Sequence, residues 1–173
     1  TENLTDRNAK IGDLAAFYPA FNEQNMFTAA PIYQGDTFLG VVTLEIPVEQ
    51  IDALMTNNAD WKSLGLGESG ETHLVRLEDG VYLSNKRGLI ENPDEWLASR
   101  VSSGRITQVQ ADLIRAKDNV AGLYYEGEDE LEPAKAGQPG FVELDDGETL
   151  LGFTPMAIPG LNWVLFAEQD AAE

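Results

Sequence analysis

A single histidine, His73, and the absence of cysteine set narrow limits on the chemistry open to this chain. A two-histidine metal site cannot be assembled, a Ser-His-Asp triad would rest on His73 alone, and no G-x-S-x-G elbow accompanies it. Without cysteine there are no disulfides, thiol nucleophiles or iron–sulfur ligands, and most structural zinc sites are excluded. His73 lies inside the alternating run THLVRL, so its expected role is a half-buried aromatic on one sheet face, with pocket lining second. No catalytic residue, metal site or cofactor is assigned. Cations are scarce, 11 against 30 carboxylates, so Arg76, Lys86, Arg87, Arg100 and Arg105 stand out as anchors for a ligand carboxylate. Among them Arg87 combines a strand end, a following loop and the neighbouring Trp96.

Two other patterns suggest chemistry and fail on context. Gly65-Leu66-Gly67-Glu68-Ser69-Gly70 has the G-x-G-x-x-G spacing of dinucleotide sites. It precedes a strand instead of opening a helix, and Glu68 and Glu71 would repel a pyrophosphate. Acidic clusters at Glu126 to Glu132 and Asp145 to Glu148 lack the calcium-loop pattern and sit in Gly/Pro-rich sequence, which reads as solvated loop.

A length of 173 residues allows one good core or two small ones sharing an interface, and 43% apolar content supplies the material. The net charge of −19 repels phosphate backbones and anionic headgroups, so nucleic acid is excluded as a partner. No apolar run approaches the ~20 residues that cross a bilayer, which places any membrane anchor in flanking helices outside this chain. Thr1 at the start and the acidic end give the look of an excised piece.

Residues 1–25 read as loop with a short helix. Asn25 to Ile46 reads as a hairpin around Gln34-Gly35-Asp36, after which Pro47 opens a helix with Ile51, Leu54 and Met55 on one face, ending near Asn57-Asn58. A second hairpin runs from Glu71 to Leu77, turns at Asp79-Gly80 and returns over Val81 to Ser84. Asn85 to Gly104 reads as loop with one short helix near Asn92-Pro93, residues 105–117 as a helix, and Val120 to Tyr125 as a short strand. Glu126 to Gly140 reads as an excursion without core residues. Phe141 to Leu144, a turn at Asp145-Asp146-Gly147, Thr149 to Met156, the Pro159-Gly160 turn and Asn162 to Glu168 form a meander, followed by an exit helix after Asp170. Ala30-Pro31-Ile32 and Thr154-Pro155-Met156 open similar strand, turn, strand passages, an echo that suggests the ends of two related modules. The whole is α+β on an antiparallel sheet.

GLGESGETHLVRLEDGVYLSNKR resembles the Gly-x-Gly-x-x-Gly-Glu-Thr-aromatic-Leu-Val, Asp-Gly, Leu-x-Ser pattern of Cache sensor modules in bacterial chemoreceptors, sensor kinases and membrane nucleotide cyclases. LLGFTPMAIPGLNWVLFAEQDAAE is similar to their final hairpin, and NMFTAAPIYQGDTFLGVVTLEIPVEQIDALM to the passage where a distal module of double-Cache proteins hands over to the proximal one. The resemblance implies a PAS-like central antiparallel sheet of about five strands flanked by helices. It also implies a division into residues 1–55, the end of a distal module, and 56–173, a membrane-proximal module. The ligand, of amino acid, carboxylate, amine or purine class, would sit between the sheet and a cover formed by residues 85–119. Ser84, Arg87, Trp96, Tyr124 and Phe153 would line the pocket, with His73 where the family usually has Tyr. The family's distal amino-acid motif is not matched.

The implied function is an extracytoplasmic, periplasmic or extracellular, sensor of an inner-membrane receptor with chemotaxis, kinase or cyclase output. It would act without catalysis, and a homodimer is among the expected assemblies. The competing expectation is a ligand-free dimerisation or docking module of the same class, distinguished by a filled pocket.

Overall fold

The computed structural model describes residues 7–125, 127–144 and 147–173, without the side chains of Glu128 and Asp129. Two antiparallel sheets form. The first comprises β1 (Lys10–Ile11), β2 (Ala15–Phe17), β3 (Glu23–Gln34) and β4 (Thr37–Pro47), with β3 pairing all the others. The expected hairpin is present and turns at Gly35, whose φ of 61° suits a residue without Cβ. Ahead of it, β1 and β2 replace the expected loop and short helix, because Lys10, Ile11 and Ala15 to Phe17 find partners along β3 that no local pattern announces.

Pro47 caps α1 (Val48–Met55). Val48 and Ile51 are buried and Met55 packs beside them, whereas Leu54 points to solvent at 81% exposure, so the inward stripe runs 48, 51, 55 and excludes Leu54. Asn57, Asn58 and Ala59 then turn with positive φ, close to where the helix was expected to end.

The second sheet has the order β5-β8-β7-β6, from β5 (Glu71–Arg76), β6 (Gly140–Leu144), β7 (Thr149–Pro155) and β8 (Trp163–Asp170). Val81 and Tyr82 return along the free side of β5 through a Val75–Tyr82 bridge, giving a fifth, very short member. The meander and the Gly160 turn match the sequence pattern, while Asp145 and Asp146 of the expected turn lie outside the described residues. Val120 to Tyr125 forms a turn with one bridge, Val81 to Tyr125, in place of a strand.

Alternation along this sheet divides its side chains between two faces. Leu74, Val81, Leu83 and Trp163 pack with Leu14, Met26, Val48 and Ile51 of the N-terminal part. Val75, Tyr82, Leu151, Phe153, Val164 and Phe166 face the helical cover. That cover holds α2 (Arg87–Glu91), α3 (Pro93–Ser102) and α4 (Gln108–Lys117), two helices where one was expected before residue 104. A capping box of Thr107 and Gln110 starts α4, and Asp118 ends it in the left-handed region.

The segment read as lacking core residues contains α5 (Glu128–Ala134). Leu131 and Ala134, three apart on one face, are buried in the cover-side core, while Glu126 lies outside the described residues. β8 continues to Asp170 and the chain then turns, so no helix follows among the described residues.

Candidate functional site

At the end of the second sheet where β8 finishes, a cavity of about 270 Å³ opens between sheet and cover. Glu71, Tyr82, Lys86 and Glu168 come from the sheet side, Arg100 and Arg105 from the cover, Glu130 from α5, and Ser69, Gln169 and Asp170 from the rim. Three of the five cations singled out in the sequence, Lys86, Arg100 and Arg105, therefore converge on it.

Lys86 is the centre of a buried ionic network and is only 4% exposed. Its Nζ is bonded to Glu71 Oε1, donates to Glu168 Oε1 at 2.9 Å and lies 3.4 Å from His73 Nδ1. His73 Nε2 in turn sits 3.3 Å from the same Glu168 oxygen. The imidazole is fully buried, stacked on Tyr82 at 4.8 Å and on Phe166 at 5.4 Å between centroids. Burial pushes the Glu71 carboxyl up, but the charges of Lys86 and His73 and hydrogen bonds from Lys86 and from the Arg87 amide outweigh it and hold it below its ordinary value. Glu71, His73 and Glu168 are close enough to ligate a metal, yet the Lys86 ammonium already contacts all three and supplies the positive charge there.

Of the six residues expected to line the pocket, Tyr124 does so. Trp96 packs edge-on against it at 5.4 Å and beneath the Arg100 guanidinium at 5.4 Å. Gly88 makes room for that indole, since a Cβ there would lie 2.3 Å from Trp96 Cδ1. Phe153 is in the core below, 6.3 Å from Phe166. His73 supports the floor through the Lys86 network, and Ser84 is buried at the edge of β5, accepting from the Leu74 amide at 2.9 Å. Arg87 is elsewhere: it stacks over Trp61 at 4.7 Å, pairs with Glu91, and donates to the carbonyls of Gly67 and Gly70. Its sequence neighbourhood matched that of a ligand anchor, but the strand end turns its side chain toward the glycine-rich loop.

That loop has a structural use for its glycines. Gly65 caps a short 3-10 turn at φ 75°, and a Cβ on Gly70 would lie 2.2 Å from Leu66 O. The amides of Glu68 and Ser69 and the Ser69 hydroxyl donate to the Glu173 carboxylate, which burial does not reach and which these bonds hold down at about 2. An anion thus sits on the loop, supplied by the chain itself.

A carboxylate with the opposite shift ties the cover to α1. Desolvation raises Asp52 to about 6, against hydrogen bonds from the Asn85 amide at 2.5 Å and Asn119 Nδ2 at 2.6 Å. Sequence spacing gave no signal for this bridge.

No protein-family model and no curated protein matches the chain. Solved structures do. The ligand-binding domain of the Pseudomonas aeruginosa PAO1 amino acid chemoreceptor PctB, in complex with L-Arg, aligns at a TM-score of 0.51 and 19% identity over 95% of this chain and 55% of that one. The extracellular domain of vpHK1S-Z8, described as a histidine kinase, gives 0.53 and 17% over 96% and 51%. The chain has the fold of these sensor domains. The ligand-binding domain of the Pseudomonas fluorescens chemoreceptor CtaA with L-serine gives 0.50 and 14% over 98% and 58%. The expected α+β fold on antiparallel sheet is borne out, and the chain spans roughly half to three-fifths of the length of the domains it matches. Among the described residues no helix is long and apolar enough to cross a membrane.

Proposed function

We propose that this chain is the extracytoplasmic small-molecule-sensing part of a transmembrane receptor, periplasmic or extracellular, and that it works by binding and not by catalysis. The observation that carries the reading is the charged cavity of about 270 Å³ between sheet and cover. Its volume lies just under the ~300 Å³ at which drug-sized sites begin, which suits a small metabolite. The sensor-domain fold supports the same reading. Residues 1–55 are the end of a distal module and 56–173 the proximal one, consistent with the 42–49% of each similar domain that this chain does not match.

Occupancy is transmitted through β8. Glu168, Gln169 and Asp170 at its end line the cavity, so a ligand that draws the cover onto them biases the chain where it leaves the sheet. A thermal-shift panel of amino acids, carboxylates, amines and purines tests the reading. A ligand at a hundred times its Kd adds about 2.7 kcal/mol, or several degrees for a domain of this size. A panel without a single saturable hit refutes it.

One feature favours the alternative, a dimerisation or docking module. The β3–β4 hairpin carries exposed Phe38, Leu39, Val42 and Leu44, and β4 offers an outer edge with no strand partner among the described residues.

A further inference from the structure

The G-x-G-x-x-G segment holds no nucleotide, yet it is built to receive an anion. The Glu68 amide donates to Glu173 Oε1 at 2.6 Å, and the Ser69 amide and hydroxyl donate to Oε2 at 2.9 and 2.6 Å. Successive backbone donors converging on one carboxylate make an anion nest. Its shape presupposes the occupant: at Gly67, with φ 59°, a Cβ would lie 1.8 Å from Glu173 Oε1. Arg87 fixes the loop by donating to the carbonyls of Gly67 and Gly70, and Lys62 pairs with Glu68 at 2.6 Å, which offsets the repulsion between that carboxylate and Glu173. Ser69 belongs to the nest and to the cavity wall at once. Its hydroxyl accepts from the Asp170 amide at 3.1 Å, and both residues line the cavity.

A serine hydroxyl has a single proton to give. Glu173 takes it here, so an acceptor group in the cavity obtains it only at that carboxylate's expense. We propose that the glycine-rich loop is a latch for the outgoing chain: it grips the Glu173 carboxylate, and a cavity occupant that accepts from the Ser69 hydroxyl loosens the grip. The release rests on the sensing role proposed above. Binding and latching then oppose each other, and by linkage whatever opens the latch tightens binding by the same factor. A hydrogen bond to a charged group is worth about tenfold in an equilibrium, and exposure of this nest to solvent brings the expected factor to about threefold to tenfold.

Glu173→Ala, a change at an exposed position, tests both parts. Hydrogen exchange at the Glu68 and Ser69 amides, followed by NMR, should quicken about tenfold in the variant while the amides of β5 keep their native rates. Every compound of the amino acid, carboxylate, amine and purine panel that binds is then titrated by calorimetry into the native chain and into Glu173→Ala. At least one is expected to bind the variant about threefold to tenfold more tightly at the same stoichiometry, and to quicken the same two amides in the native chain. With Ser69→Ala in both backgrounds, that difference should vanish. Unchanged exchange in Glu173→Ala, or no gain in affinity for any compound that binds, overturns the latch and leaves the sensing reading intact. A panel that binds neither chain overturns the sensing reading and the release of the latch with it.

Discussion

Replacing Lys86 by Met tests the floor of the cavity directly. The ammonium is almost completely buried and serves two carboxylates and an imidazole at once. Removing one member of a buried ionic group costs about 3–5 kcal/mol, because the charges left behind keep their desolvation penalty. The Glu168 side chain is 26% exposed and can recover some hydration, so the lower end, about 3 kcal/mol, is expected at pH 7. With a urea m-value of about 2 kcal/mol/M, the unfolding midpoint should fall by about 1.5 M. The pH dependence carries the sharper signature. In the native chain Glu71 is held below its ordinary value, so its stabilisation is present above the unfolded value of about 4.5 and fades only as pH falls further. In Lys86→Met the dominant influence left on Glu71 is burial, which raises it, so the variant takes up a proton and regains stability as pH drops from 7 to 5. Urea melts of both proteins at pH 5 and 7 decide the matter. A deficit below 1 kcal/mol, or one of equal size at both pH values, would refute the account of the network.

Asp52 behaves with the opposite sign. Its carboxyl is raised to about 6, so its stabilisation is complete below the unfolded value near 3.8 and is lost as pH rises through 6; the native chain should lose on the order of 2–3 kcal/mol through this group between pH 4 and 7. Asp52→Asn should flatten that segment of the stability profile, measured by urea melts across the range. Leu131→Ala, which removes the buried side chain of α5, should cost about 2–3 kcal/mol by the same assay, whereas Leu54→Ala, exposed on α1, should change stability by less than about 0.5 kcal/mol. Gly67→Ala places a Cβ 1.8 Å from Glu173 Oε1 at a φ of 59°; hydrogen exchange at the Glu68 and Ser69 amides should accelerate with the rest of the sheet unchanged.

Much of the fold was legible because its signals are local. The hairpin at Gly35, the meander from Gly140 to Asp170 and the capped α4 are written in turn residues, alternation and caps close together in sequence. β1 and β2 were hidden since a two- or three-residue strand exists only through its partner. α5 was hidden because seven residues rich in charge and proline show their helical period only through Leu131 and Ala134. For the cavity, composition singled out three cations that line it, Lys86, Arg100 and Arg105, whereas Arg87, singled out by its neighbours, turns to the glycine-rich loop. Arg100 reaches the cavity because it stands four residues after Trp96 on α3, so that both side chains share a face. Lys86 gained its importance from Glu168, 82 positions away, which no spacing rule connects.

The Asp52 bridge has one more consequence. Asn85 and Asn119, the two ends of the cover, meet on the same carboxylate, and the Asn85 side chain also donates to the Asp118 carbonyl at 3.0 Å. The segment between them leaves and rejoins the scaffold at one point, like a cassette plugged into a socket. Lengthening such a closed excursion costs little, about 0.6 kcal/mol for each doubling of its length. On the sensing role proposed above, exchange of the cavity-facing side chains of this segment would alter selectivity while the buried core residues it shares with the sheet and its Asp52 anchor point stay as they are.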